Sequence, residues 1–238
     1  MKKIYWYFII GILAVAAVIV VWAVKDKDDS AGEAVPENLA ANVPGEAQVQ
    51  TYLASGTPTV KDSDKMFGDK EAVLPIFVYE DYSNKYSADL ADTLDKIKAE
   101  SGDKVAIVVR PFALANSVSA TQLAAAVDCA GEQGKWKEMR ALLFAQAKNQ
   151  QLLSDNLDNY VSQLELKADD FNTCLTNVEK SGKIEQSVAE AQKYGVQGAP
   201  TMFIGGEMVL GARPYEDFVD SNGDKIAGLK SVVAGKIN

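Results

Sequence analysis

The sequence has no histidine. That excludes Cys-His and Ser-His catalysis, histidine-ligated metal and a histidine-based pH switch. Cysteine is nearly absent too: Cys129 and Cys174 are the only two, too few for a disulfide scaffold and too far apart for a local redox pair. Positive charge is also in deficit, with 24 Lys and Arg against 33 Asp and Glu, a net −9. Setting aside Lys2 and Lys3 leaves 22 basic against 33 acidic residues, and such a surface repels phosphate backbones, so no nucleic-acid partner is expected. No cluster with metal-ligand spacing stands out, and neither a metal nor a cofactor is expected.

What the chain does have is 238 residues, 47% of them apolar, enough to bury the core of one domain or a little more. Ile4–Val24 is an uninterrupted apolar run behind Lys2 and Lys3, with Tyr5, Trp6, Tyr7 and Trp22 near its ends. Its length and flanks fit a transmembrane helix. A cleaved signal peptide is the rival reading, since Ala14-Val15-Ala16 is a small-x-small triplet, but that triplet lies inside the run. The expectation is residues 1–24 as cytoplasmic tip and uncleaved anchor, a single pass with the N-terminus inside. Residues 25–65, rich in Asp, Glu, Ala, Asn, Pro and Gly, read as an acidic flexible tether, with Gln48–Leu53 a possible edge strand. Residues 66–238 form the folded domain.

Within that domain, Val73–Tyr79 and Lys104–Arg110 are apolar runs of strand type. Between them lies a helix pattern with Tyr86, Leu90, Leu94 and Ile97 on one face, ending near Gly102. Strand, helix, strand predicts a parallel pair with a right-handed crossover. From about 112 to 180 the pattern is helical: Leu123, Ala126 and Val127; then Trp136, Met139, Leu143 and Phe144; then Leu157, Tyr160 and Val161; then Phe171, Cys174, Leu175 and Val178. Ile184, Val188 and Ala191 line one more helix, stopped at Tyr194-Gly195. Gln197–Gly206 then reads as a Gly-Ala-Pro-Thr turn, a strand Thr201–Ile204 and a Gly205-Gly206 hairpin turn into Glu207–Leu210. Pro214 is expected to open a helix over Tyr215–Asp220, and Ile226, Leu229, Val232 and Val233 to line a terminal one.

Three stretches carry a resemblance. The run Gly68-Asp69, Ile76–Tyr79, Glu80-Asp81-Tyr82, the segment 125–136 with Phe171–Leu175, and Lys193–Gly198 with Gly-Ala-Pro-Thr resemble the DsbA-like thiol–disulfide oxidoreductases. The resemblance covers roughly residues 66–213 and implies an α/β thioredoxin-like fold with an all-helical insertion at about 112–180. It implies that Ala199-Pro200 is cis and that Ala199, Pro200 and Thr201 offer their backbone to an extended peptide. It also places the family's Cys-x-x-Cys at the helix start, and there this chain has Asn84 and Ser87.

That substitution removes the chemistry. A helix N-terminus lowers a cysteine pKa because its unpaired N–H groups stabilise a thiolate. The same groups accept an Asn side chain as a cap, worth about 1 kcal/mol over Ala. Asn84 keeps the helix start and discards the nucleophile, and a Ser87 hydroxyl without a base is inert near neutral pH. The expected activity is therefore binding of exported polypeptide segments, without disulfide exchange at the usual site. One alternative is residual oxidoreductase activity or a glutathione-transferase-like enzyme using Ser83 or Ser87. Another is a purely structural surface domain. Cys129 and Cys174 are either buried free thiols, as in the cytosol, or a disulfide on two helices of one subdomain; an extracytoplasmic domain favours the disulfide.

Overall fold

The computed structural model describes residues 51–53 (backbone), 56–113, 117–151 and 154–237. Its centre is a six-stranded sheet in the order β1-β6-β5-β3-β4-β2. The strands are β1 (Thr51–Leu53), β2 (Lys65–Phe67), β3 (Leu74–Glu80), β4 (Val105–Pro111), β5 (Thr201–Ile204) and β6 (Glu207–Leu210). Only β3 and β4 run parallel, with Ile76 opposite Ile107 and Val78 opposite Val109; helix α1 (Lys85–Ser101) is their crossover. A parallel pair needs such a crossover, whereas β5 and β6 join through two residues. Gly205 and Gly206 have φ of 55° and 87°, the left-handed values that a two-residue hairpin turn demands at both central positions.

Side chains alternate across β3, and both faces are covered, as the near-continuous apolar run requires. On one face Ile76, Val78, Ile107, Met202 and Ile204 pack with Leu90, Leu94 and Ile97 of α1 and with Leu229 and Val233 of α7 (Leu229–Ile237). On the other, Phe77, Tyr79, Val108 and Phe203 pack with Val188 and Ala191 of α6 (Lys183–Lys193) and with Val196. Each large side chain so buried contributes about 1.5–3 kcal/mol.

Helices α2 (Val118–Glu132), α3 (Trp136–Lys148), α4 (Leu157–Gln163) and α5 (Ala168–Ser181) form the insertion around a third core. Ser117 caps α2, its Oγ accepting from Ala120 N at 3.2 Å. The buried face of α2 is mostly alanine, which brings α3 and α5 close. A Cys129–Cys174 disulfide with Cα atoms 5.7 Å apart joins α2 to α5.

Three expectations need correcting. Tyr86 is not on the core face of α1: it is 63% exposed, and Ser87 is fully buried with Leu90, Ala91, Leu94 and Ile97. The stripe enters the first turn at Ser87 because its Oγ accepts from the buried Asp81 N–H at 3.2 Å, and a buried donor must find a partner. Residues 214–220 are not helical. Phe218–Val219 (β7) pairs with Lys225–Ile226 (β8), and the Asp220 carboxylate accepts from both Asn222 N and Asp224 N. Finally, the expected tether runs into the folded body: β1, inside the expected edge strand Gln48–Leu53, pairs with β6 at the sheet edge, and Thr59 and Asp64 hold Arg110 of β4. The expected anchor, Ile4–Val24, and residues 25–50 lie outside the described residues. Among the described residues, no helix is long and apolar enough to cross a membrane.

Candidate functional site

The site is built where the carboxyl end of β3 meets the amino end of β5. Asp81 leaves β3 and folds the chain into a tight turn: its Oδ1 accepts from Ser83 N at 2.8 Å and from Ser83 Oγ at 2.6 Å, while its carbonyl accepts from Asn84 N. Short Asp side chains make such turns readily. The turn delivers Asn84 as the cap of α1, with Oδ1 accepting from Tyr86 N at 2.8 Å. On the other side, α6 ends and Gly198–Thr201 turns into β5, with the Ala199-Pro200 peptide bond cis. The Thr201 hydroxyl donates to Gly198 O at 2.7 Å, and Pro200 O accepts from Gly211 N at 2.9 Å.

These two halves touch through one side chain. Asn84 Nδ2 donates to Ala199 O at 3.1 Å. The carboxamide thus satisfies an orphan helix N–H with its oxygen and the proline loop with its nitrogen, through two separate atoms and as a stronger donor and acceptor than a thiol. The structure therefore brings Asn84, Ala199, Pro200 and Thr201 together. It separates Ser87 from them by burial: Ser87 is 0% exposed and engaged with Asp81. Ser83 is half-buried, and its hydroxyl proton is committed to a carboxylate. Cys129 and Cys174 are buried in the insertion, bonded to each other. Ala199 N–H has no hydrogen-bond partner among the described residues, and Ala199 O keeps one lone pair beyond Asn84. These two groups, on a half-buried residue, are what the loop can offer to a guest.

Beneath the turn lies a pair that sequence reasoning missed. Glu80, the last residue of β3, is 0% exposed and accepts from Arg140 Nε at 2.8 Å and Nη2 at 2.6 Å. Burial pulls the Arg140 pKa down, but the charge and hydrogen bonds of Glu80 outweigh it, and the guanidinium stays charged with its pKa raised. Burial, then the Glu80 charge, pushes the Tyr82 hydroxyl pKa well up. The pair ties the site turn to α3, so the turn is fixed from sheet and insertion at once. A signal was present: Arg140 interrupts the stripe Met139, Leu143, Phe144, Ala147, and a cation on an apolar face needs a buried anion. Among the described residues, no group of three His, Cys, Asp or Glu side chains could hold a metal.

A cis-proline loop facing a helix start, on a β3-α1-β4 and β5-β6 sheet with helices inserted between the halves, defines the thioredoxin-fold class. The chain belongs to the thioredoxin family, whose match, described as Thioredoxin, spans residues 61–221. Solved structures agree on the fold. A thioredoxin-like oxidoreductase from Silicibacter pomeroyi superposes with a TM-score of 0.57 at 18% identity, covering 74% of this chain and 92% of that one. Wolbachia pipientis alpha-DsbA1 gives 0.54 at 20%, covering 74% and 88%. A periplasmic thioredoxin-like protein from Salmonella enterica serovar Typhimurium gives 0.54 at 19%, covering 73% and 90%. In sequence, the chain is 30% identical over 159 residues to the Na(+)/H(+) antiporter NhaA 3 of Salinispora tropica, covering 66% of this chain and 24% of that protein. It is 27% identical over 186 residues to NhaA 1 of Salinispora arenicola, covering 75% and 28%. The chain thus spans about a quarter of the length of the curated relatives it matches. It is DsbA-like in fold, and the first turn of α1 carries Asn84 and Ser87 and no cysteine.

Proposed function

We propose that this is a membrane-tethered, extracytoplasmic, DsbA-like protein that binds extended segments of exported polypeptides beside Pro200 and performs no disulfide exchange at its helix mouth. The observation that carries the reading is the Asn84 carboxamide, bonded at once to Tyr86 N and Ala199 O. It fills the nucleophile's position with a group that cannot exchange disulfides, beside an Ala199 N–H that has no hydrogen-bond partner among the described residues. An incoming strand would pair with that N–H and with the remaining lone pair of Ala199 O, which is strand addition at minimal scale. Tyr86, 63% exposed beside the mouth, offers a ring to a client side chain.

Placement outside the cytoplasm is supported by the Cys129–Cys174 bond, since such bonds persist in oxidising compartments. The tether to a bilayer rests on the Ile4–Val24 run, with the N-terminus inside. Partial similarity to chains named as antiporters is consistent with a domain carried at a membrane. The glutathione-transferase-like reading gains no support from the hydroxyls: Ser87 is sealed, and Ser83 donates to Asp81.

The test has two arms. Purified full-length protein is assayed for oxidation and reduction of a model dithiol peptide, and separately for binding of a reduced, unfolded secretory polypeptide by photocrosslinking from position 86. The expected result is background turnover together with crosslinks lost on Pro200→Ala. Turnover above background, or crosslinking indifferent to Pro200→Ala, refutes the reading.

A further inference from the structure

A cleft of about 340 Å³ opens between the 61–65 segment, the end of β4, α2 and α6. Tyr82 lines it, while Asn84, Ala199 and Pro200 do not. It is as large as small-molecule sites commonly are. Its charges do not cancel. Lys61, Lys65, Arg110 and Lys183 meet Asp64, Asp128 and Glu190 there, one cation in excess, in a chain whose net charge is −9.

The excess can be placed. Asp64 gives both oxygens to Arg110, and Glu190 gives both to Lys61. Those two pairs are neutral. Glu190 also lies 3.9 Å from Arg110, but Asp128 is the carboxylate hydrogen-bonded to two lysines, its Oδ1 with Lys65 and its Oδ2 with Lys183, each at 2.5 Å. All three carboxylates thus have their oxygens engaged. An ammonium carries three donors, and among the described residues Lys65 Nζ and Lys183 Nζ each spend one. Lys65 is held in place: its stem packs over Gly131 of α2, where an added Cβ would lie 3.0 Å from Lys65 Cε. Val109, Pro111, Ala124, Val127 and Ile184 give the cleft an apolar stretch of wall, beside the polar Ser63, Tyr82, Gln186 and Ser187. Spare N–H donors, one uncompensated positive charge and an apolar wall describe the complement of an anion on a small apolar body.

We propose that this cleft binds a small monocarboxylate with a compact apolar body, its anionic head held between Lys65 and Lys183 and its body against the apolar wall. The site is independent of the proline loop, and its test does not involve clients.

The probe is 4-fluorobenzoate, followed by ¹⁹F NMR on titration with the full-length protein; 4-fluorobenzyl alcohol is the uncharged counterpart. Benzoate is expected to bind saturably, and the alcohol to bind about tenfold or more weaker, as loss of charge-assisted hydrogen bonds dictates. Lys183 is 59% exposed in its side chain, so Lys183→Met should fold normally and lose about tenfold in benzoate affinity. Asp128→Asn acts in the opposite direction: it removes the negative charge that offsets the two lysines and one of the two oxygens that engage them, and benzoate should bind severalfold tighter. Equal affinity for the alcohol, an affinity unchanged by Lys183→Met, weaker binding in Asp128→Asn, or no binding at millimolar benzoate overturns the proposal.

Discussion

Replacing Arg140 with methionine keeps the aliphatic stem and removes the guanidinium from Glu80. Glu80 is fully buried and takes two short charge-assisted bonds from that one residue, so the variant leaves a sealed carboxylate with nothing to offset its lost hydration. Breaking a buried pair from one side costs about 3–5 kcal/mol. For a folded body of this size each kcal/mol moves the melting temperature by about 2–4 °C, so the midpoint should fall by roughly 6–20 °C. The double variant Glu80→Met/Arg140→Met removes both charges and should recover most of the loss, because two apolar side chains replace a pair whose attraction was already set against its desolvation. Urea denaturation of all four proteins gives the coupling energy, expected above about 2 kcal/mol. A single Arg140→Met costing under about 1 kcal/mol, or a double variant no better than the sum of the singles, would refute the claim that this pair holds the site turn.

Removing the disulfide as Cys129→Ala/Cys174→Ala frees a 45-residue loop and should cost about 4 kcal/mol by chain entropy, read as a lower urea midpoint with a raised m-value, because the unlinked unfolded chain exposes more surface. Asn84→Ala loses the cap of α1 and the bond to Ala199 O, with an expected cost of about 1–2 kcal/mol; amide exchange should quicken at Tyr86, whose N–H the cap holds. Burial raises the Asp128 pKa, but hydrogen bonds from Lys183 and Lys65 outweigh it, and the folded-state value lies below the ordinary one. That contribution to stability is complete above the unfolded value of about 4 and is lost as pH falls through the lower folded value. Asp128→Asn should therefore flatten the acid limb of a stability–pH curve and leave its shape near neutrality unchanged.

Local chemistry was legible wherever the chain settles its own geometry. Gly205-Gly206 fixes a two-residue hairpin because both central positions need positive φ, and Thr201–Ile204 and Glu207–Leu210 fall on the strands read from the sequence. Asn84 caps α1, and Ser117 caps α2, because a short polar side chain before an apolar stripe has a free N–H within reach. The tail was misread for a reason also present in the chain. Pro214 can begin a helix, but Asn222-Gly223 between short runs is a hairpin signal, and Gly228 approaches the Glu216 backbone too closely for any side chain.

Ser87 in the core, Arg140 against Glu80 and Arg110 against Asp64 depended on neighbours 6, 60 and 46 residues away. The residues alone fixed that no dithiol stands at the mouth of α1, that a hairpin follows the proline, and that alternating apolar runs must be covered on both faces. Only the assembled molecule decided which polar side chains are sealed and with what partner. A buried donor or charge is tolerated by virtue of whatever folding brings against it, and that partner is set by the packing of sheet against helices, not by sequence spacing.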